Sequence, residues 1–200
     1  MIRESLQFLA DELNKYLILK GTTTTDPPRL VLGNISRVFD PDAGSTTNSL
    51  SNKAVLSLVN IEEDRVAKKQ ENYIKTSITT RYKRPPLYLN VFILFSVNRT
   101  SYSDSLSWLN HILQFFQHQN VFTPITHPAL DSRIEELIVD LYSLNFEQVN
   151  HLWSTLGGKY IPSALYKIRQ LTVDEDLTIS ESGFIKEIQL DEQVIKPVTG

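Results

Sequence analysis

The chain has 200 residues, a formal net charge of −3, a pI of about 5.8 and no cysteine. That length supports one domain with a substantial core, or a domain plus an arm. The acidic balance argues against a nucleic-acid binder, which carries a basic excess; the absence of cysteine removes disulfides, thiolate catalysis and cysteine-ligated zinc or iron–sulfur centres.

The opening Met1-Ile2-Arg3-Glu4-Ser5 is charged and leads into an amphipathic stretch, unlike the apolar core of a signal peptide, which points to synthesis and folding in a cytoplasm. The sequons Asn34-Ile35-Ser36 and Asn98-Arg99-Thr100 then read as chance matches, because glycosylation needs secretion. Residues 2–20 place Ile2, Leu6, Leu9, Leu13, Tyr16 and Leu17 at three- and four-residue intervals. That spacing predicts a helix with one buried stripe, closed by Gly21. A loop over 22–28 and a short strand over 29–32 follow. Residues 39–52 contain Asp40-Pro41-Asp42-Ala43-Gly44 and a Ser/Thr/Asn run, the composition of turns.

Residues 54–61 are apolar except at Ser57 and Asn60 and predict a strand beside the strongest one in the chain. That strongest strand is Leu87-Tyr88-Leu89-Asn90-Val91-Phe92-Ile93-Leu94-Phe95-Ser96-Val97, introduced by Pro85-Pro86. Its odd positions are all apolar, and its even positions are polar only towards the ends, at Tyr88, Asn90 and Ser96. The pattern predicts a central strand buried on one face throughout and on the other over its middle. Aromatic and β-branched residues favour extended backbone, and the run is too short to cross a membrane as a helix. Proline belongs at such a strand's entrance because it cannot donate to a ladder.

Between these two strands, residues 62–84 carry Lys68, Lys69, Lys75, Arg81, Lys83 and Arg84. One reading is a basic protrusion that docks on an acidic partner; the other is a solvated hairpin extending the flanking strands. The interleaved Glu62, Glu63, Asp64 and Glu71 favour the hairpin over nucleic-acid contact, while a protein partner stays open.

Beyond the central strand, Ser103 or Asp104 is expected to cap a helix running to about Gln119. Leu106, Leu109, Ile112, Leu113 and Phe116 form its buried side, widened by Trp108 and Phe115. Residues 121–130, with Pro124 and Pro128, are too proline-rich for a regular element. Residues 136–144 predict a strand with Leu137, Val139 and Leu141 on one face. Asn145 and Gln148 fit a capping box for a helix over 146–156, with Val149, Leu152, Trp153 and Leu156 inward and Gly157-Gly158 closing it. A strand over 160–173, entered through Pro162, completes a mixed central β-sheet flanked by helices, an α/β (α+β) fold. The boundary falls near 175. The remainder reads either as a local hairpin or as an arm that presents Ile179, Ile185 and Ile188 to a neighbouring subunit.

No catalytic constellation is present. The chain lacks a phosphate-cradling glycine loop, a Gly-x-Ser-x-Gly elbow and a His-Glu-x-x-His pair. His111 and His118 are seven residues apart, the wrong spacing for two ligands on one metal, and His127 and His151 are isolated. Glu135-Glu136 and Asp174-Glu175-Asp176 read as solvated carboxylates. No cofactor, metal, nucleic acid or membrane insertion is expected. Two alternatives stand beside a structural role. The first is a polyanion- or protein-binding adaptor that uses the basic stretch; the second is an enzyme with a distributed site, which a deep pocket with convergent polar groups would reveal.

The segment Leu152-Trp153-Ser154-Thr155-Leu156-Gly157-Gly158-Lys159-Tyr160-Ile161-Pro162-Ser163-Ala164-Leu165-Tyr166 resembles the signature of the cap, or tail-terminator, proteins of extracellular contractile injection systems of the antifeeding-prophage and virulence-cassette type. The opening helix, the strand with Leu56-Ser57-Leu58-Val59-Asn60-Ile61, the run Pro85-Pro86-Leu87-Tyr88-Leu89 and the helix from Tyr102 are similar in the same order. The resemblance covers roughly residues 1–175 and implies a tail-terminator-like domain followed by an arm over 176–200. It further implies a six-fold ring, which ends the inner tube and the contractile sheath by contact with both proteins. Within the motif, Trp153 is expected to pack the helix on the sheet, Gly157 to cap it, Pro162 to rigidify the strand entrance and Tyr166 to present its phenol at the sheet rim. Tyr160 and Ser163 complete the motif.

Overall fold

The computed structural model describes residues 1–20, 29–39, 50–64, 73–75, 79–83, 86–173 and 178–183. In chain order its elements are α1 (Ile2–Leu19), β1 (Leu30–Leu32), a 3-10 turn (Ile35–Phe39), β2 (Lys53–Glu63), β3 (Tyr73–Lys75), β4 (Thr79–Lys83), β5 (Leu87–Asn98), α2 (Tyr102–His118), β6 (Val121–Phe122), β7 (Leu137–Leu141), α3 (Phe146–Thr155), β8 (Ser163–Val173) and β9 (Thr178–Gly183). They divide into two units, one of Met1–Lys68 with Leu87–Val173, the other of Lys69–Pro86 with Asp174–Gly200.

The larger unit is built on a six-stranded sheet ordered β1-β2-β5-β8-β7-β6. β1 runs parallel to β2, and every other pair is antiparallel. The mixed sheet flanked by helices is the fold class that the sequence pattern implies. β5 and β2 are neighbours as expected, joined from Lys53↔Asn98 to Glu63↔Leu89 with one bulge between Leu58 and Asn60.

On one face of β5, Val91, Ile93, Phe95 and Val97 enter a core completed by α1 and α2. On the other, Phe92 and Leu94 join Ile35, Trp153 and Leu165 beneath α3 and the 3-10 turn. Ser96 is fully buried and Asn90 nearly so, so both faces are covered from Asn90 to Val97, beyond the middle that the polar residues suggest. Leu87, by contrast, is 47% exposed. The strand's first residue lies outside the helical cover, so burial on its apolar face is not continuous.

α1 buries Leu6, Leu9, Leu13 and Leu17 of the predicted stripe, half-buries Ile2 and Tyr16, and adds Phe8 and Ala10. Asn14 on this helix stitches the outer sheet edge. Its side chain accepts from the Arg29 and Leu30 amides and donates to the Leu30 carbonyl at 2.9 Å, satisfying backbone groups that an edge strand would leave open. Ser57, a polar exception in β2, is likewise buried and engaged; its Oγ accepts from the Ile35 amide and donates to the Gly33 carbonyl.

α2 differs from its expected orientation. Ser101, not Ser103 or Asp104, caps it, with its side chain accepting from the Asp104 amide. The buried positions are Ser105, Trp108, Ile112, Phe115 and Phe116, while Leu106 is 45% exposed. Trp108 and Phe115 therefore centre the stripe, because the bulkier aromatic surface gains more from burial. Two residues of the proline-rich connection do form a strand, β6, paired at the sheet edge with Ile138 and Leu137. β7 is shorter than the predicted span, and β8 begins at Ser163, not Tyr160. The predicted Gly21 cap and the loops over 22–28 and 40–49 lie outside the described residues; Lys20 occupies the α1 C-cap.

In the smaller unit β3, β4 and β9 form an antiparallel sheet ordered β3-β4-β9. β3 and β4 pair antiparallel within residues 62–84, as the hairpin reading expects, but in a sheet of their own with β9 and not as an extension of β2 and β5. β9, within the stretch read as a local hairpin or an arm for a neighbour, pairs with β4 of its own chain, Thr79↔Gly183 to Lys83↔Thr178.

Phe95 contacts Phe116 and Tyr166 at ring separations of 5.4 and 5.5 Å. Phe95→Ala is expected to lower unfolding stability by about 3–5 kcal/mol in urea denaturation.

Candidate functional site

The motif around Trp153 builds the most distinctive surface of the larger unit. Asn145 opens α3 with both halves of a capping box; its side chain accepts from the Gln148 amide at 2.8 Å and the Gln148 side chain accepts from the Asn145 amide at 3.0 Å. Gly157 and Gly158, at φ of 113° and 79°, close the helix, and the Gly158 amide donates to the Trp153 carbonyl at 2.6 Å. This is the six-to-one bond of a glycine C-cap. With both ends fixed, Trp153 is held 4% exposed against Leu94 and Leu165 of the sheet. Tyr160 stands edge-on to its indole at 5.7 Å.

The chain around this anchor leaves apolar surface open. A groove of about 830 Å3 is lined by Leu109 and Leu113 of α2, Val149 and Trp153 of α3, and Ala164 and Leu165 of β8. The β7–α3 connection and Tyr160 form its rim. Phe146 is 96% exposed, Tyr160 64%, Leu141 56% and Tyr142 40%. So many adjoining apolar side chains in water mark an interaction surface. Few polar groups converge there, and one of them, Asn145, already has its side chain engaged in the helix cap.

An open strand edge borders the groove. β7 pairs with β8 as far as Leu141↔Tyr166, and the Tyr142 amide then donates to the Leu165 carbonyl at 2.8 Å. Backbone groups alternate sides along a strand. The Pro162 carbonyl accepts from Val97 on the β5 side, so Ser163 turns its amide and carbonyl the other way, past the end of β7. Among the described residues no strand pairs with that edge.

The sequence-predicted residues fall into separate groups. Trp153 and Pro162 are buried, and Gly157 stands at positive φ just past the end of α3. Tyr166 does not present its phenol at the rim. It is 2% exposed, packed on Phe95 and Phe116, because its position on β8 turns it into the α1–α2 core. Burial pushes its phenol up to about 12. Ser163 and Tyr160 adjoin the groove; Pro86 and Tyr88 are half-buried at the start of β5 and take no part in it. Lys75 falls on β3, Arg81 and Lys83 on β4 and Ile179 on β9. Pro85, Lys68, Lys69, Arg84, Ile185 and Ile188 lie outside the described residues.

Phe146, Leu141 and Tyr142 escape the sequence reading as surface residues. Phe146 shares the helical stripe of Val149 and Trp153, three and seven residues on, so periodicity assigns it to the core. In the first turn of α3 it is nevertheless left in solvent. Among the described residues no helix is long and apolar enough to cross a membrane.

The fold is similar to that of two solved tube-terminator structures. The PVC sheath/tube terminator of an extracellular contractile injection system, in its extended state, superposes with a TM-score of 0.56 at 14% identity, over 94% of this chain and 64% of that one. The anti-feeding prophage cap, a tube-terminating cap, gives 0.52 at 14% identity, over 95% of this chain and 60% of the other. This chain thus spans less than two thirds of either relative's length. Residues 6–187 match the Pvc16 N-terminal domain family, and the chain belongs to it. No curated protein matches the sequence.

Trp153→Ala is expected to cost about 3–5 kcal/mol in chemical unfolding, as for any large core truncation. A fully stable variant that fails only to assemble would reassign Trp153 to partner contact. A second test concerns Tyr166. Its phenol holds its proton longer in the folded chain than at the ordinary value of 10 that the unfolded chain has, so the stability it contributes is complete below about pH 10 and is lost as the pH rises towards about 12. Wild-type unfolding free energy measured across that window should fall more steeply than that of Tyr166→Phe.

Proposed function

We propose that this chain is a structural cap subunit, not an enzyme, that ends the growth of the inner tube and contractile sheath of a phage-tail-like injection particle. The observation that carries this reading is the exposed apolar groove built from the Trp153–Tyr166 motif in a chain of the Pvc16 N-terminal domain family. A protein that closes a polymer needs a surface for the polymer's end and contacts with its own copies. The groove supplies an apolar surface of that kind, rimmed by aromatic side chains of the type that dominate binding energy at protein interfaces.

The subunits form a ring of six, assembled in the cytoplasm, that meets the tube protein on one side and the sheath protein on the other. Head-to-tail contacts that close by rotation are the geometry such a ring requires. The charged stretch with Lys68, Lys69, Lys75, Arg81, Lys83 and Arg84 serves as a further contact, and Ile179, Ile185 and Ile188 belong to another. Pro85, Pro86 and Tyr88 belong to the motif at the entrance of the central strand.

The test is the mass in solution, by light scattering, of the wild type and of Phe146→Asp, each alone and with purified tube protein. Phe146 is 96% exposed, so the substitution should leave stability within about 0.5 kcal/mol while abolishing the ring or its capture by tube protein. A Phe146→Asp protein that assembles like the wild type removes the groove from the interface. A wild type that stays monomeric with tube protein present overturns the cap role.

A further inference from the structure

A second feature lies in the larger unit, away from the groove, and does not depend on the cap role. Arg29, just before β1, and Arg99, just after β5, both stack on Trp108 of α2. Their guanidinium carbons stand 5.8 and 4.5 Å from the centre of the one indole ring. Each is anchored by its backbone: the Arg29 carbonyl accepts from the Ala54 amide at 2.7 Å, and the Arg99 amide donates to Ser105 Oγ at 3.2 Å. Arg99 Nη1 donates to the Asn52 carbonyl at 3.0 Å, which is presented by a residue in the left-handed region at φ 58°. Cation–π stacking explains why each arginine favours the ring. It does not explain why two like charges share it.

Two observations point to a missing anion. No carboxylate among the described residues forms an ion pair with either guanidinium. Arg99 Nε, moreover, is buried without a hydrogen-bond partner, and an unsatisfied buried donor on a charged group is among the costlier defects a fold can carry. The N-terminus of the 17-residue α2, capped by Ser101, adds positive potential beside Arg99.

We infer that Arg29, Arg99 and Trp108 form a docking site for a carboxylate on an acidic side chain of an adjoining protein subunit. A carboxylate matches the planar arginine fork and can reach two donors at once. A nucleic acid needs a track of cations along its backbone, whereas two guanidiniums on one indole offer a single point of contact. Both arginines are half-buried at the sheet's end, so a side chain arriving on another protein surface can complete the cluster.

The experiment follows the Trp108 indole and Arg99 Nε–H resonances in nitrogen-15 spectra of the whole chain, at constant ionic strength, as succinate, a short glutamate peptide or a short oligonucleotide is added. Succinate and the peptide should give saturable shifts, weakened on the order of tenfold in Arg99→Gln or Arg29→Gln, the loss of one charge-assisted hydrogen bond. Arg29, on the loop before β1, carries the test if Arg99→Gln fails to fold. Shifts no different from those with added chloride overturn the site, and an oligonucleotide that binds more tightly than the glutamate peptide overturns the choice of a protein carboxylate.

Discussion

The ladder of β5, hydrogen-bonded to β2 on one edge and β8 on the other, is the constraint on which the larger unit depends. Its peptide groups are buried with its side chains from Asn90 to Val97, and buried backbone groups must be paired. Two full-length partner strands are therefore obligatory. So is helical cover on both faces, since Val91, Ile93, Phe95 and Val97 point one way and Phe92 and Leu94 the other. The outer strands answer smaller demands. β1 is three residues long and finished by the Asn14 side chain in place of another strand.

The groove follows from unequal lengths. β8 has eleven residues and β7 only five, and β7 pairs with β8 only from Tyr166 onward, so the first residues of β8, Ser163 and Ala164, run past β7 and line the groove together with Val149 and Trp153 of α3. The capping box and glycine closure make that placement rigid. Trp153 holds the helix down, while Phe146, on the same stripe, is left exposed among the described residues. The same residue types at the same spacing thus serve as core at one end of a ten-residue helix and as exposed surface at the other. Among the described residues nothing buries Phe146, which is the thermodynamic basis for reading the groove as an interface.

α2 and Tyr166 illustrate a second limit of periodicity. A stripe that contains Leu106, Leu109 and Leu113 or one that contains Ser105, Trp108 and Phe115 fits the helical repeat almost equally, since the two differ by less than a third of a turn. The choice is made by neighbours. Phe95 and Tyr166 pack tilted rings on Phe116 and Phe122 stacks on Phe115, at 4.6 to 6.1 Å, and Trp108 is covered by Arg29 and Arg99. Once the helix turns to meet them, Leu106 faces water.

From the sequence alone came the kinds and order of the longer elements, though not β6 or the 3-10 turn. Alternation marked β5, three-and-four spacing marked α1, and the Asn145–Gln148 and Gly157–Gly158 pairs bounded α3, because these signals are local and act through a few covalently near backbone groups. The motif from Leu152 to Tyr166 was legible in the same way, as residue types at fixed spacing. Tertiary structure alone decided which side of α2 is buried, that Tyr166 is core and Phe146 is surface, that β9 pairs with β4, and that two arginines from distant parts of the chain share one indole. Each of those outcomes depends on which strands end first and which residues meet across the fold, contacts between positions tens of residues apart that no local pattern encodes.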